Sequence, residues 1–196
     1  LWLDNDGNGQ QNSEAGYNGA TVNLYLSSNL VTPFATTTTA NNPVGGAAGY
    51  YRFLDLDAGD YVVEFVLPPD YIFTHQDAGA DATDSDANRF TGRTGTYTLY
   101  WRDSNQTVDA GIVLPASLGD GLWYDDDDDG VQDGMPAEAG VQNVVVRLLN
   151  SSNVAVDDPN TPAVDTYVLN TDANGEYLFS GLIPGDYRVH FDLPSS

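Results

Sequence analysis

The stretch Trp2-Leu-Asp-Asn-Asp-Gly-Asn-Gly-Gln-Gln-Asn12 returns as Trp123-Tyr-Asp-Asp-Asp-Asp-Asp-Gly-Val-Gln-Asp133, and this repetition decides the fold. Each copy continues into Glu-Ala-Gly, at residues 14–16 and 138–140, and then into an apolar strand. Self-similarity at a long, fixed spacing is typical of repeated structural units. The chain is therefore predicted to contain two copies of one domain type.

Apolar residues alternate after each copy of the stretch, as they do in half-buried strands. The matching positions are Val22, Leu24 and Leu26 in the first copy and Val144, Val146 and Leu148 in the second. A further block, residues 51–68, returns as residues 177–194 with a Gly-Asp-Tyr turn in each. Short strands between Gly, Pro and Asp turns, without helical periodicity, predict all-β, tandem antiparallel β-sandwich domains.

The predicted boundary follows Leu114, which gives repeats at residues 1–114 and 115–196. The first repeat is predicted to lack the opening strand that residues 117–123 supply to the second. The second is predicted to lack the counterparts of residues 97–101 and 107–114. A short linker of this kind favours a rod-like array of repeats over domains that are connected flexibly.

The charge is strongly acidic, with 29 Asp and Glu against 6 basic residues and a net charge of −23. Such a surface repels nucleic acid and anionic membranes, and it attracts divalent cations. The chain has no cysteine and no lysine, which excludes disulfides, Cys-ligated zinc and any lysine–asparagine crosslink. No apolar run is long enough to span a membrane. A secreted chain without disulfides needs another stabilising element, and calcium is the obvious candidate.

The repeated stretch has the ligand spacing of an EF-like calcium loop. Numbered from its first aspartate, it carries oxygen ligands at positions 1, 3, 5 and 9, Gly at position 6 and a main-chain carbonyl at position 7. The predicted ligands are Asp4, Asp6, Asn8, Gln10, Asn12 and Glu14, and Asp125, Asp127, Asp129, Val131, Asp133 and Glu138. The closing glutamates lie at positions 11 and 14, whereas a helical EF-hand has Glu at 12. The alternative is a cluster of Asx turns without metal.

A second acidic cluster lies in residues 77–86. It belongs to a longer stretch, from about residue 74 to 95, in which Phe90 is the one large apolar residue. A loop of this length needs something to order it. A second calcium site is predicted from Asp81, Asp84 and Asp86, with Asp109 joining through the fold. The alternative is a solvated loop.

The motifs resemble the SdrD B-like family, the B-type repeats of serine–aspartate repeat adhesins. The matching elements are Leu118-Gly-Asp-x-x-Trp123-x-Asp125, Asp129-Gly-Val-Gln-Asp133, Glu138-x-Gly-Val141, Tyr177-x-Phe-x-x-Leu-x-x-Gly-x-Tyr187, Asp84-Ser-Asp86 and Asp109-Ala-Gly111. The resemblance covers nearly the whole chain. It implies a prealbumin-like or Cna B-type (Ig-like) sandwich, bound Ca²⁺ and a rigid spacer role at the cell surface. It assigns the loop ligands at Asp4, Asp6, Asn8, Asn12, Asp125, Asp127, Asp129 and Asp133.

The predicted function is a calcium-stiffened stalk, spacer or matrix repeat of a secreted or cell-surface protein. Its expected partners are neighbouring repeats of the same chain or identical subunits. Two alternatives remain: an adhesion module that grips a glycan or peptide with Tyr50, Tyr97, Tyr100 and Trp101, and a self-assembling filament subunit. The chain is not expected to be an enzyme, because its carboxylates lie in metal-type loops and its two histidines lack triad or zinc spacing.

Overall fold

The strands follow the alternating apolar pattern and the Gly-Asp turns. The computed structural model describes residues 1–133, 138–163 and 165–192, so the last four residues of the second predicted repeat lie outside it. By internal contacts the chain divides into two compact units, Leu1–Pro115 and Ala116–Ser196. The strands of the first unit are β1 (Trp2–Leu3), β2 (Thr21–Leu26), β3 (Ala35–Thr38), β4 (Gly59–Phe65), β5 (Ile72–Phe73), β6 (Tyr97–Leu99) and β7 (Gly111–Val113). Those of the second are β8 (Ala116–Gly121), β9 (Val145–Asn150), β10 (Val168–Asn170), β11 (Glu176–Leu182) and β12 (Tyr187–Asp192).

The first unit is a sandwich of two sheets. One sheet is antiparallel, in the order β3-β2-β4-β6, and the other has the order β1-β7-β5. Val22 and Phe65 from the first sheet meet Phe73 and Ile112 from the second in one buried cluster. Leu26, predicted to share the face of Val22, lies at the end of β2 and is 37% exposed. The all-β sandwich predicted from the sequence is confirmed, because the apolar faces of both sheets form one core.

One strand pair departs from the antiparallel rule. β1 pairs with β7 in parallel, with Trp2 opposite Gly111. Parallel strands need a long crossover connection, and here the intervening chain contains most of the first unit. Gly111 permits the approach, because a Cβ at this position would lie 2.6 Å from the Trp2 ring.

The second unit also contains two sheets, β10-β9-β12 and β11-β8, all antiparallel. Val146 and Leu148 of β9 pack against Phe179 and Leu182 of β11 in its core. Among the described residues of both units the structure contains no helix, as the sequence predicts.

The two units repeat the same local contacts. The Tyr61 hydroxyl donates to the Asp57 carbonyl at 2.9 Å, and the Tyr187 hydroxyl donates to the Ile183 carbonyl at 2.6 Å. Each contact ties a tyrosine to the turn four residues before it, as in the tyrosine corner of other β-sandwiches. The sequence repeat is therefore also a structural one.

Candidate metal centres

Asp4 organises the first candidate loop from inside the protein. Its carboxylate is buried and accepts hydrogen bonds from the backbone N–H groups of Gly7 and Gly9, both at 2.8 Å. The Thr74 hydroxyl also donates to it. Gly9 lies so close to the neighbouring segment that a Cβ would meet the Ala78 Cβ at 2.6 Å. The loop is thus held in a closed turn and is docked against residues 74–78.

Three carboxylates converge at this loop. Asp4, Asp6 and Glu14 each offer an oxygen within 4.8 Å of the others. The Asn5 amide donates to Glu14 Oε1 at 2.7 Å, whereas Glu14 Oε2 is buried and has no hydrogen-bond partner in the described part of the chain. A buried, unpartnered carboxylate oxygen beside two other carboxylates is costly unless a cation neutralises it. These residues therefore fit a hard divalent cation.

The neutral candidates of the first loop are engaged in turn contacts or lie at its surface. Asn8 donates from Nδ2 to Asp6 Oδ2 at 2.9 Å, and its Oδ1 accepts the Gln10 amide at 2.7 Å. The Gln10 side chain donates to the Ala78 carbonyl at 3.0 Å. Asn12 is exposed. These contacts fix the turn, and the carboxylates supply the charge.

The second loop has the same turn geometry. Asp125 accepts the backbone N–H groups of Asp129 at 3.1 Å and Gly130 at 3.0 Å, as Asp4 does in the first loop. Asp125, Asp127 and Glu138 form one group of converging carboxylates, and Asp127, Asp129 and Asp133 form another. Val131 is exposed beside them, and its amide donates to Asp129 Oδ1 at 2.7 Å.

Glu138 reaches its loop despite its displaced position in the sequence. Its Oε1 accepts the Asp126 amide at 2.9 Å, and its Oε2 accepts the Asp133 amide at 3.0 Å. The sequence predicts this glutamate as a ligand, although it lies at position 14 where a helical EF-hand has Glu at 12. Residues 134–137 lie outside the described residues, but the carboxylate of Glu138 converges with those of Asp125 and Asp127.

The acidic segment 77–86 is ordered by hydrogen bonds within the first unit. Asp86 is buried, and its two oxygens accept the Tyr97 hydroxyl and the Asp109 amide, both at 2.7 Å. Asp84 is buried and accepts the Gly79 amide at 2.9 Å, whereas Asp81 is exposed.

Within the described chain, no three of Asp81, Asp84, Asp86 and Asp109 bring carboxylate oxygens within 4.8 Å of one another. Their role as metal ligands therefore stays a prediction.

Burial makes the carboxyl groups of Asp86 and Asp109 hard to ionise. Burial is the main reason that the pKa of Asp109 is raised to about 6. The hydrogen bond from the Trp2 indole lowers this pKa, and the negative charge of Asp86 raises it. Burial also raises the pKa of Asp86, and the charges of Asp81 and Asp84 add to that effect.

The environments of the two indole nitrogens were not foreseen from the sequence. The Trp2 indole N–H donates to Asp109 Oδ1 at 2.7 Å, beside the pairing of β1 with β7. The equivalent indole nitrogen of Trp123 is buried and has no partner among the described residues. In both copies a tryptophan lies two positions before the first loop aspartate, but this pattern does not identify the group that accepts the indole hydrogen bond.

The aromatic residues proposed for ligand binding do not share one environment. Tyr100 and Trp101 are 71% and 78% exposed, whereas Tyr50 and Tyr97 are partly buried. The Tyr97 hydroxyl is already bonded to Asp86.

The described residues contain no helix that is long and apolar enough to cross a membrane.

Comparison with known proteins gives one family. The family model described as "SdrD B-like domain" matches residues 1–112 and 116–196. Over 198 aligned residues the chain is 36% identical to serine-aspartate repeat-containing protein D of Staphylococcus aureus strain MW2, covering 100% of this chain and 13% of that protein. It is also 36% identical to serine-aspartate repeat-containing protein E of strain Mu50, covering 15% of that protein. The chain thus spans a small part of these relatives.

Two solved pilin structures also show likeness. GBS52, the minor pilin of Streptococcus agalactiae, aligns with a TM-score of 0.34 and 16% identity, over 95% of this chain and 76% of that one. The SpaE basal pilin of Lactobacillus rhamnosus GG aligns with a TM-score of 0.30 and 13% identity, over 97% of this chain and 78% of that one.

Proposed function

The chain belongs to the SdrD B-like domain family, and we propose that it is a calcium-stabilised structural repeat of an extracellular or cell-surface protein. It acts as a stalk, spacer or matrix element and has no catalytic role. Its partners are neighbouring repeats or identical subunits. One observation carries the proposal: Glu14 Oε2, which is buried and has no hydrogen-bond partner among the described residues, lies in a group of three carboxylates, and the second loop repeats that group.

Calcium fits the ligand chemistry better than other common metals. The converging groups are carboxylates, and Ca²⁺ takes six to eight oxygen ligands in flexible geometry. Zinc and the later transition metals prefer histidine and cysteine, which these groups do not contain. Extracellular modules bind Ca²⁺ at about 10⁻⁴–10⁻³ M, so even weak sites serve outside the cell.

The residues that would hold the ion belong to two loops. The side chains are those of Asp4, Asp6, Asn8 and Glu14 in the first loop and of Asp125, Asp127, Asp129, Asp133 and Glu138 in the second. Each loop adds one main-chain carbonyl, that of Gln10 or Val131. When bound, the ion supplies positive charge that neutralises carboxylates whose mutual repulsion opposes a compact loop. Because the folded loops bind it and the unfolded chain does not, the ion stabilises the fold by mass action.

The test is thermal unfolding of the full chain in calcium and in chelator. A concentration near 100 times the dissociation constant adds about 2.7 kcal/mol per site, which raises the melting temperature by several degrees. Sodium chloride at matched ionic strength is the essential control, because any salt screens a net charge of −23. Equal melting temperatures in calcium and in matched sodium chloride would overturn the proposal.

A further inference from the structure

The chain contains the Asn-x-Ser/Thr pattern twice, as Asn105-Gln-Thr107 and as Asn150-Ser-Ser152. In proteins that pass to the outside of a cell, this pattern marks asparagines that accept N-linked glycans on accessible surface loops. Patterns this short also arise by chance. The structure distinguishes the two copies, because it places them in different backbone environments.

Asn105 lies in a loop of the first unit that is held near both of its ends. The loop follows β6 and begins with a turn in which the Asp103 amide donates to the Tyr100 carbonyl at 3.1 Å. It ends at Val108, whose carbonyl accepts the Tyr51 hydroxyl at 2.7 Å. Between these contacts, residues 104–107 make no backbone–backbone hydrogen bond to the described part of the chain, and Asn105 is exposed. An enzyme can therefore bind this segment without breaking strand pairing.

The side chain of Asn105 is oriented by the residue that completes the pattern. Its Oδ1 accepts the backbone amide and the hydroxyl of Thr107, both at 2.9 Å. Its Nδ2 is the atom that would be bonded to a sugar, and it has no hydrogen-bond partner among the described residues. The acceptor nitrogen is thus presented at the surface, while the rest of the amide group is held in one orientation.

Asn150 is placed differently. It is the last residue of β9 and lies opposite Tyr187 of β12. Its backbone N–H donates to the Val154 carbonyl at 2.8 Å. Its Oδ1 accepts the amides of Ser152 at 2.9 Å and Val154 at 3.0 Å. Modification of Asn150 requires that the end of this strand opens, which costs free energy in the folded chain.

The residue two positions before each asparagine also differs. It is the exposed Asp103 before Asn105 and the buried Leu148 before Asn150. Bacterial oligosaccharyltransferases take an acidic side chain at this position, where it pairs with a cationic group of the enzyme. The relatives of this chain described above are bacterial. The sequence pattern and the exposure therefore select the same asparagine.

We propose that Asn105 accepts an N-linked glycan, transferred to the folded chain from a lipid-linked oligosaccharide outside the cytoplasm. A bond forms between Nδ2 and the anomeric carbon of the first sugar, and the bond from that carbon to the pyrophosphate oxygen of the lipid carrier breaks. The lipid pyrophosphate leaves with that electron pair, and Nδ2 gives up one proton to the enzyme. The inference goes beyond the structural role proposed above and does not depend on calcium.

The test uses the folded full chain, a purified bacterial oligosaccharyltransferase and a lipid-pyrophosphate-linked oligosaccharide as the donor. Intact mass and peptide mapping measure the extent and the position of transfer. We expect one glycan per chain, at Asn105, and none in the Asn105→Gln variant. Asp103→Asn keeps an oxygen for the Tyr100 amide but should lower the initial rate at least about 10-fold, because it removes a charge-assisted contact with the enzyme. Asp70→Asn, at an exposed aspartate elsewhere in the unit, should leave the rate unchanged.

A synthetic peptide of residues 101–109 separates the sequence pattern from its structural setting. Three results would overturn the inference: transfer to the peptide but not to the folded chain, transfer to neither, or transfer to Asn150 at the rate of Asn105. The first would show that the folded loop withholds Asn105, and the second that the enzyme does not recognise the pattern. The third would show that the exposed loop gives no advantage. The calcium proposal is tested independently, because its readout is the melting temperature.

Discussion

Glu138 Oε1 accepts a hydrogen bond from the backbone N–H of Asp126 at 2.9 Å. The corresponding bond, at 2.7 Å, joins Glu14 Oε1 to the Asn5 amide in the first loop. In both loops this bond anchors the glutamate beside the first two aspartates, although the glutamates differ in sequence spacing. We therefore expect both glutamates to contribute charge to a bound cation.

Glu14→Gln should weaken calcium binding at the first loop by about 10-fold, or about 1.4 kcal/mol. The substitution keeps the shape of the side chain but removes the charge and turns one ligand oxygen into an amide group. NMR titration of the full chain, read at the amides of Asn5 and Gly9, measures the change. Glu176→Gln, at an exposed glutamate of β11 in the other unit, is the control. An unchanged affinity in the Glu14 variant would remove this residue from the site.

The second loop should bind calcium more tightly than the first. Its candidate acids are Asp125, Asp127, Asp129, Asp133 and Glu138, against Asp4, Asp6 and Glu14 in the first loop. Affinity in oxygen-ligand sites rises with ligand charge, although crowded acids also repel one another when empty. The position of Glu138 strengthens this ranking, because its carboxylate converges with the aspartates.

Two substitutions test that ranking. Asp127→Asn should weaken the second site more than Asn8→Ala weakens the first, because Asp127 belongs to both carboxylate groups and loses a formal charge. The same NMR titration reads each loop separately in the full chain. Equal affinities of the two loops in the unmodified chain would show that charge count does not control binding.

Gly140→Ala should destabilise the second unit. A Cβ at Gly140 would lie 1.9 Å from the Asn174 carbonyl oxygen, and Gly16 has the same conflict with the Ala48 carbonyl. Backbone atoms on both sides must move, so we expect a loss of about 2–3 kcal/mol in unfolding free energy. Urea unfolding, followed by NMR at residues of β9, gives the value.

The matched control is Gly121→Ala. A Cβ at Gly121 meets no atom within 4 Å, so its unfolding free energy should change by less than about 1 kcal/mol. Equal losses of unfolding free energy in Gly140→Ala and Gly121→Ala would show that the structure accommodates a Cβ at Gly140 without an energetic cost.

The sequence was sufficient for the repeated features of the molecule. Alternating apolar residues such as Val22 and Val146 predicted buried strand faces, and both are fully buried. The paired aspartates of each loop predicted a shared turn, and Asp4 and Asp125 organise that turn alike. These features depend on residues that are close in sequence, where spacing constrains geometry strongly.

Long-range contacts were not predictable in the same way. Two such contacts join residues more than one hundred positions apart. They are the parallel strand pairing of Trp2 with Gly111 and the hydrogen bond from the Trp2 indole to Asp109. Strand periodicity fixes which face a side chain occupies but does not choose its partner strand. Glu138 was predicted as a ligand although its position departs from the EF-hand spacing, and the structure places its carboxylate beside those of Asp125 and Asp127.

Asp109→Asn should make the first unit more stable at neutral pH in the absence of calcium. The pKa of Asp109 is about 6 in the folded chain, above the value of about 3.9 expected when unfolded. The folded state therefore binds this proton more tightly, and its contribution to stability is complete below about pH 4 and is lost as the pH rises through about 6. Asparagine removes the charge and keeps an oxygen to accept the Trp2 indole N–H.

In chelator we expect Asp109→Asn to add about 1–2 kcal/mol to the unfolding free energy at pH 7.5 and little at pH 4, allowing for solvent screening of a partly exposed carboxyl. Urea unfolding at both pH values measures this, and Asp57→Asn, at an exposed carboxylate of the same unit, should give no such gain in stability. A loss of stability at pH 7.5 would contradict the prediction, because it would mean that the fold requires the charge. A loss of calcium affinity in the same variant would instead identify Asp109 as a ligand of the predicted second site.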